Sequence, residues 1–424
     1  MGQVTVFIDY LLKKTEYIPE SIYEKAKDCL YDYLAVAEAG AVVNQDRWKE
    51  YIKHLTDGKV PLLGYEIDTD GKTAALINGF NAQSLELDDG QRFAMIHLGG
   101  SIISALLSAK AENNITKDNF LKGIVVGYET ACRLSISMQP SHKNLGFHAA
   151  GTCGTVGSAL AVAFALNMNK QQMETVLAAA VGSAAGLLEM QEQESELKPY
   201  NTGRAAMDGL AAAYMGFTSF SGPDDILNGD RGFMKLFSTE INLEKMTENT
   251  DYYEIERTYI KPYAACRHCH SAIEAALNLH NQINIDDIHE IVVSTYKLAI
   301  KGHDHVSIAG ISSAKLSIPY SVAVALILGK ADISAFEKKY VENHEILNLT
   351  QKVKVIENPD FTTVSSKKRV ANVAIFFKNG SSVTNMVEYA KGDPENPMSR
   401  QDIIDKAYSL IGELAYKIMN YVYT

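Results

Sequence analysis

The chain has 424 residues, 46% of them hydrophobic, 21% charged and 9% aromatic, the balance of a folded globular protein too long for one hydrophobic core, so two domains are expected. A net charge of -11 argues against nucleic acid or an anionic membrane as the partner, because both reward a basic surface. The start Met-Gly-Gln-Val-Thr-Val lacks an export or lipidation pattern, and five scattered cysteines read as reduced thiols, so a cytoplasmic protein without disulfides is expected. From Ser21 to about Thr250, apolar positions recur three and four apart. Helices are predicted over Ser21 to Ala39, Leu98 to Ala111, Lys117 to Met138, Gly154 to Leu166, Lys170 to Leu188 and Ala205 to Phe220. Their many Ala, Gly and Ser positions let axes approach closely.

Near Glu254 the pattern changes. Ile288 to Tyr296, Lys352 to Glu357, Ala371 to Phe377 and Ser382 to Tyr389 read as strands, with Asn379-Gly380 as a hairpin turn. Helices over His270 to Asn281 and Pro319 to Leu328 lie among them, and an amphipathic helix over Ser399 to Met419 ends the chain. The fold class is therefore mainly α: a helical domain over 1–254, completed by 396–424, and a smaller α+β domain over 255–395.

Five segments could carry chemistry. Glu86-Leu87-Asp88-Asp89-Gly90-Gln91-Arg92, followed by His97, crowds three carboxylates beside two possible cationic partners, which is one route to an acid or base poised near neutrality; a solvated acidic turn reads equally well. His148 precedes a charge-free small-residue helix whose N-terminal amides favour an anion, although a structural histidine is the commoner case. Lys198-Pro199-Tyr200-Asn201-Thr202-Gly203-Arg204 reads as a tight loop that offers Lys198 and Arg204 to carboxylates, or as a plain surface loop. Lys261 to His270 gathers Lys261, Arg267 and His270 at a helix start, suited to holding an anion. Its Cys266-x-x-Cys269 lacks the second pair that structural zinc needs. In Ser317-Ile318-Pro319-Tyr320 the phenol is a hydrogen-bond donor or a core residue. No phosphate loop, dinucleotide fingerprint, nucleophile elbow or iron–sulfur cysteine set occurs, which argues against phosphoryl and redox chemistry.

Taken in order, these five segments resemble the MmgE/PrpD family, whose activities include 2-methylcitrate dehydratase, cis-aconitate decarboxylase and iminodisuccinate epimerase. The resemblance implies a large all-helical domain, a smaller lid domain, a homodimer, and a cleft between domains that needs no metal or organic cofactor. It implies catalytic roles for His97, His148, Lys198, His270 and Tyr320. Glu86, Asp88, Asp89, Arg92, Asn201, Arg204, Lys261 and Arg267 are expected to bind a small polycarboxylate. Decarboxylase-like members carry a threonine where this chain has Gly90, and a histidine where it has Asn201. The implied reaction is removal of a proton next to a carboxylate, with a dehydratase-like lyase expected, an epimerase or isomerase of a substituted succinate or a decarboxylase as alternatives, and an inactive carboxylate-binding dimer as the non-enzyme reading.

Overall fold

The computed structural model describes residues 2–192 and 195–424 and divides them into two units, one of residues 2–192, 196–259 and 399–424, the other of Ser195 with residues 260–398. The fold is mainly α, and among the described residues no helix is long and apolar enough to cross a membrane.

The first unit is built from α1 (Gln3–Lys14), α2 (Glu20–Ile52), α3 (Gly71–Ser84), α4 (Gly99–Glu112), α5 (Lys117–Ile136), the single turn α6 (Ser141–Asn144), α7 (Ala149–Ala165), α8 (Lys170–Ser183) and α9 (Lys198–Tyr214). Local chemistry fixes several starts. Asp70 accepts the Lys72 and Thr73 amides, Thr116 accepts that of Asn119, and Asn169 with Gln172 forms a reciprocal capping box. Every residue of α7 is buried, because α4, α5, α8 and α9 surround it. Its small side chains make that possible, and the Thr155 and Ser158 hydroxyls donate to the Gly151 and Gly154 carbonyls at 2.7 and 2.8 Å, leaving no hydroxyl unsatisfied.

Several helical expectations change: α2 runs past Ala39 to Ile52, and α8 stops at Ser183 rather than Leu188. The helix expected from Gly154 starts at Ala149, so His148 is its N-cap residue. The loop expected before Ala205 is instead the first turn of α9. Pro199 suits a first-turn position because its missing N–H would be orphaned there anyway, and Gly203 sits inside the helix, where a Cβ would come within 2.2 Å of the Leu76 carbonyl of α3. The C-terminal helix is two, Arg400–Ile411 and Leu414–Tyr423, broken at Gly412 with φ 56°. Two short antiparallel pairs also interrupt the helical pattern: β1 (Val60–Pro61) with β2 (Asp68–Thr69), and β3 (Gly90–Gln91) with β4 (Thr258–Tyr259).

Both C-terminal helices pack on α2. Lys406 reaches Asp32 at 2.6 Å and the Leu87 carbonyl at 2.8 Å, pinning the acidic segment from behind. Burial pushes the Asp32 carboxyl up to about 6, against the pull of Lys406. Lys406→Met removes the cation and strands a buried carboxylate, so unfolding free energy measured in denaturant at pH 8 should fall by about 3 kcal/mol, and adding Asp32→Asn should recover most of the loss. An unchanged stability would mean that the pair contributes nothing.

The second unit holds a four-stranded sheet in the order β6 (Val353–Glu357), β5 (Ile288–Thr295), β7 (Ala371–Phe377), β8 (Ser382–Val387), parallel between β5 and β6 and antiparallel elsewhere. In β5 and β7 the alternating Ile291, Val293, Val373 and Ile375 are fully buried. The hairpin turns at Asn379-Gly380, where Gly380 has φ 85° and the Asn379 side chain accepts the Ser381 amide. Helix His270–Leu279 packs on β7, β8 and helix Ile318–Leu328.

Candidate active site

The acidic segment follows α3, and Glu86 turns the chain with φ 56°, a left-handed conformation uncommon for glutamate. Its carboxylate pairs with the Lys198 ammonium, both side chains being mostly shielded from solvent. Two residues on, Asp88 lies 3.0 Å from His97 Nδ1 and accepts from Gln83 Nε2 at 3.2 Å. His97 Nδ1 is also 2.8 Å from the Asp89 carbonyl oxygen. Two acceptors at one ring nitrogen place a proton on Nδ1, in the neutral ring and in the imidazolium alike. Gln83 is itself held by Thr202 of α9, at 2.7 Å.

Asp89 is engaged differently. Oδ1 accepts the Gly99 amide at 2.8 Å and Oδ2 accepts the Tyr128 hydroxyl at 2.5 Å, so this carboxyl ties the start of α4 to α5, and burial raises its pKa. Each oxygen thus accepts one hydrogen bond from the scaffold. Arg92 is buried, with its guanidinium 4.7 Å from the Phe93 ring centroid. Gly90 pairs with Tyr259, and a Cβ there would lie 2.4 Å from the Tyr259 hydroxyl and 2.8 Å from the Ile96 carbonyl oxygen. A threonine does not fit this backbone.

His148 is 6% exposed, and among the described residues its Nδ1 has no hydrogen-bond partner. Its pKa is lowered to about 3, first by burial and then by the positive charges of Lys198 and His97, while Glu86 and Asp88 pull it the other way. The first three segments of the sequence therefore meet around a neutral imidazole. His142, which the sequence reading passed over, braces the loop before it: Nδ1 donates to the Phe237 carbonyl at 2.9 Å, Nε2 accepts from Thr152 at 2.9 Å, and the ring stacks on Phe147.

A folded pKa of about 3 set against an unfolded value near 6.5 means that only the unfolded chain takes up this proton as pH falls through that window. The contribution of His148 to stability is complete above about pH 6.5 and declines below it, by on the order of 3 kcal/mol at pH 4. Asp32, with its raised value, runs the opposite way, so the measure is the difference between wild type and His148→Gln. The variant should lose less stability between pH 7 and 4, and parallel slopes would refute the burial of a neutral imidazole.

Two residues expected to bind substrate make local contacts. Asn201 donates to the Leu187 carbonyl at 3.1 Å, and Arg204 donates to the Ser183 carbonyl at 3.1 Å while also engaging the Ala185 carbonyl and Asp208. Together they brace the connection from α8 to α9. Lys198, in the first turn of α9, is the cation of this segment that meets an acidic group of another motif.

In the second unit, Lys261 is fully buried and Arg267 pairs with buried Asp393. His270 opens its helix as expected, is 1% exposed, donates from Nε2 to the Ala265 carbonyl at 3.1 Å and meets Tyr263 edge-on. Tyr320 is wholly buried; its hydroxyl donates to the Ala335 carbonyl at 3.1 Å and its ring packs on Phe336, which is the core alternative for this phenol. The two cysteines of Cys266-x-x-Cys269 face different neighbours, His303 Nε2 and the Leu316 carbonyl, each at 3.8 Å. Among the described residues no three His, Cys, Asp or Glu side chains are grouped to hold a metal ion.

The chain is 26% identical over 438 aligned residues to a cis-aconitate decarboxylase of Aspergillus terreus, covering 94% of this chain and 87% of that protein. It is 24% identical over 351 residues to a cis-aconitate decarboxylase of Mus musculus and 23% over 348 residues to one of Homo sapiens, covering 78% of this chain and 70% and 71% of theirs. The sequence models of the MmgE/PrpD N-terminal and C-terminal domains match residues 10–245 and 263–417, and the chain belongs to the MmgE/PrpD family.

Proposed function

We propose that this protein is a lyase that acts on a small tricarboxylic acid through an enolate-like intermediate, without a metal or organic cofactor and as a homodimer, and that decarboxylation of a cis-aconitate-like substrate is the reaction to test first. The observation that carries the reading is the meeting of Lys198, His97 with its Asp88 partner, and the neutral, partly unsatisfied His148. The relatives' activity favours loss of carbon dioxide over loss of water.

In this reaction the carbon–carboxylate bond breaks, carbon dioxide leaves, and the electron pair spreads into the remaining unsaturated carboxylate. One proton then adds at carbon. Lys198 neutralises a substrate carboxylate, which competes with Glu86 for the ammonium. His148, held neutral, gives or accepts a hydrogen bond without adding charge. His97, oriented through Nδ1, acts as the imidazolium: it delivers its Nε2 proton to carbon, is left neutral with its proton on Nδ1, and regains the Nε2 proton from solvent before the next turnover.

Incubation of the purified protein with cis-aconitate, 2-methylcitrate and substituted succinates in deuterated water, followed by NMR, tests the reading. Release of carbon dioxide with a new deuterated methylene group supports it. Alkene formation by loss of water moves the assignment to a hydro-lyase, deuterium incorporation with stereochemical scrambling moves it to an epimerase, and no reaction with any of the panel favours a carboxylate-binding protein. Activity should also survive exhaustive EDTA treatment; loss on chelation with recovery on adding zinc or iron would overturn the cofactor-free mechanism.

A further inference from the structure

A second cavity lies wholly within the first unit, apart from the residues discussed above. Its volume is about 450 Å³, in the range of small-ligand pockets, and its walls come from α2, the β1 strand, α4 and the last helix of the chain. Leu34, Val60, Leu107 and Ile418 make those walls apolar. Asn78 has its amide group consumed by the Pro61 carbonyl and the Leu63 amide, at 3.2 and 3.0 Å, so it offers a ligand little. Glu38 accepts the Gly64 amide.

The charged groups at this cavity are Lys110, Lys417 and the Glu38 carboxyl, whose pKa burial raises and which already accepts the Gly64 amide. Lys110 lies 5.3 Å from the Phe120 ring centroid, and among the described residues neither ammonium takes part in an ion pair. Apolar walls with two cations outside any ion pair, against the single carboxyl of Glu38, leave an excess of positive charge that matches a ligand with an alkyl body and one anionic head. A polycarboxylate would set its further charges against hydrocarbon, at a large desolvation cost.

We propose that this cavity binds a straight-chain monocarboxylate, with the alkyl chain between Leu34, Leu107 and Ile418 and the carboxylate held by Lys110 and Lys417. The site is separate from the one assigned to the reaction and does not depend on that assignment.

Calorimetric titration of the full-length protein with hexanoate, octanoate, decanoate and dodecanoate, and with the alcohols of the same lengths, tests it. Affinity should rise about three- to fourfold per added methylene until the cavity is full, the scale of burying one such group. The alcohols should bind at least about tenfold more weakly than the acids, a difference that the double variant Lys110→Ala, Lys417→Ala should erase. Leu107→Trp should abolish binding by filling the space, and the lysine variants keep the test decisive if that protein folds poorly. Absence of binding, no dependence on chain length, or acids and alcohols equal in the wild type would overturn the proposal. So would a change in sedimentation mass in Lys417→Glu without a change in titration, because the face would then be covered by a second copy of the chain.

Discussion

His97→Ala should lower kcat by about a hundredfold or more, the usual scale for losing a positioned acid–base group, with little change in KM and a melting temperature close to wild type. The histidine is suited to the role because Asp88 and the Asp89 carbonyl oxygen fix its proton on Nδ1, while its side chain keeps 16% exposure. Asp88→Asn tests the orientation separately: the amide can present its nitrogen to Nδ1 and favour the wrong tautomer, so a loss of about ten- to a hundredfold in kcat is expected. A His97→Ala protein with wild-type kcat, or one lost only through unfolding, would remove His97 from the mechanism. His270→Ala, measured beside it, asks the same of a histidine that is fully buried and bonded to the Ala265 carbonyl. Full activity there, or loss only through unfolding, makes His270 a residue of the helix start.

Lys198→Ala should reduce kcat/KM by about a hundred- to a thousandfold, the range for removing one preorganised charge-stabilising group, with much of the effect in KM. It also leaves Glu86 without its cation in a largely shielded position. Stability is therefore expected to fall with activity, and the double variant with Glu86→Gln separates the two: stability should return while activity does not. Recovery of both would show that Lys198 serves only to neutralise Glu86. Lys198→Arg should restore the charge but not the geometry, because the planar guanidinium needs more room beside Glu86.

Several features were legible before any coordinates. The strands at Ile288–Thr295 and Ala371–Phe377 carry a two-residue alternation that a half-buried sheet requires, and Asn379-Gly380 names its own turn. His270 at a helix start and the charge-free α7 also follow from composition along the chain. Other expectations failed for identifiable reasons. The segment from Lys198 reads as a loop because Pro199 and Gly203 are ordinarily breakers, yet the proline stands in the first turn and the glycine lets α9 touch α3. Arg204 and Asn201, expected to bind substrate, also brace the α8–α9 connection through its backbone carbonyls, a role that only the packed structure shows.

The sequence by itself determined the composition of the two parts of the chain, the helical and strand periods, and the set of titratable side chains from which a carboxylate site could be made. Periodicity and turn chemistry are local, and the residues that express them lie within a few positions of one another. The tertiary structure alone decided which of those side chains meet. Asp88 and Asp89 are neighbours in sequence, yet one faces His97 and the other accepts from Tyr128 and the Gly99 amide. Gly90 is glycine because Tyr259, 169 residues away, lies against it. Lys406 supports the acidic segment from the far end of the chain. Such assignments depend on desolvation and on hydrogen-bond partners distant in sequence, and neither exists until the helices have packed.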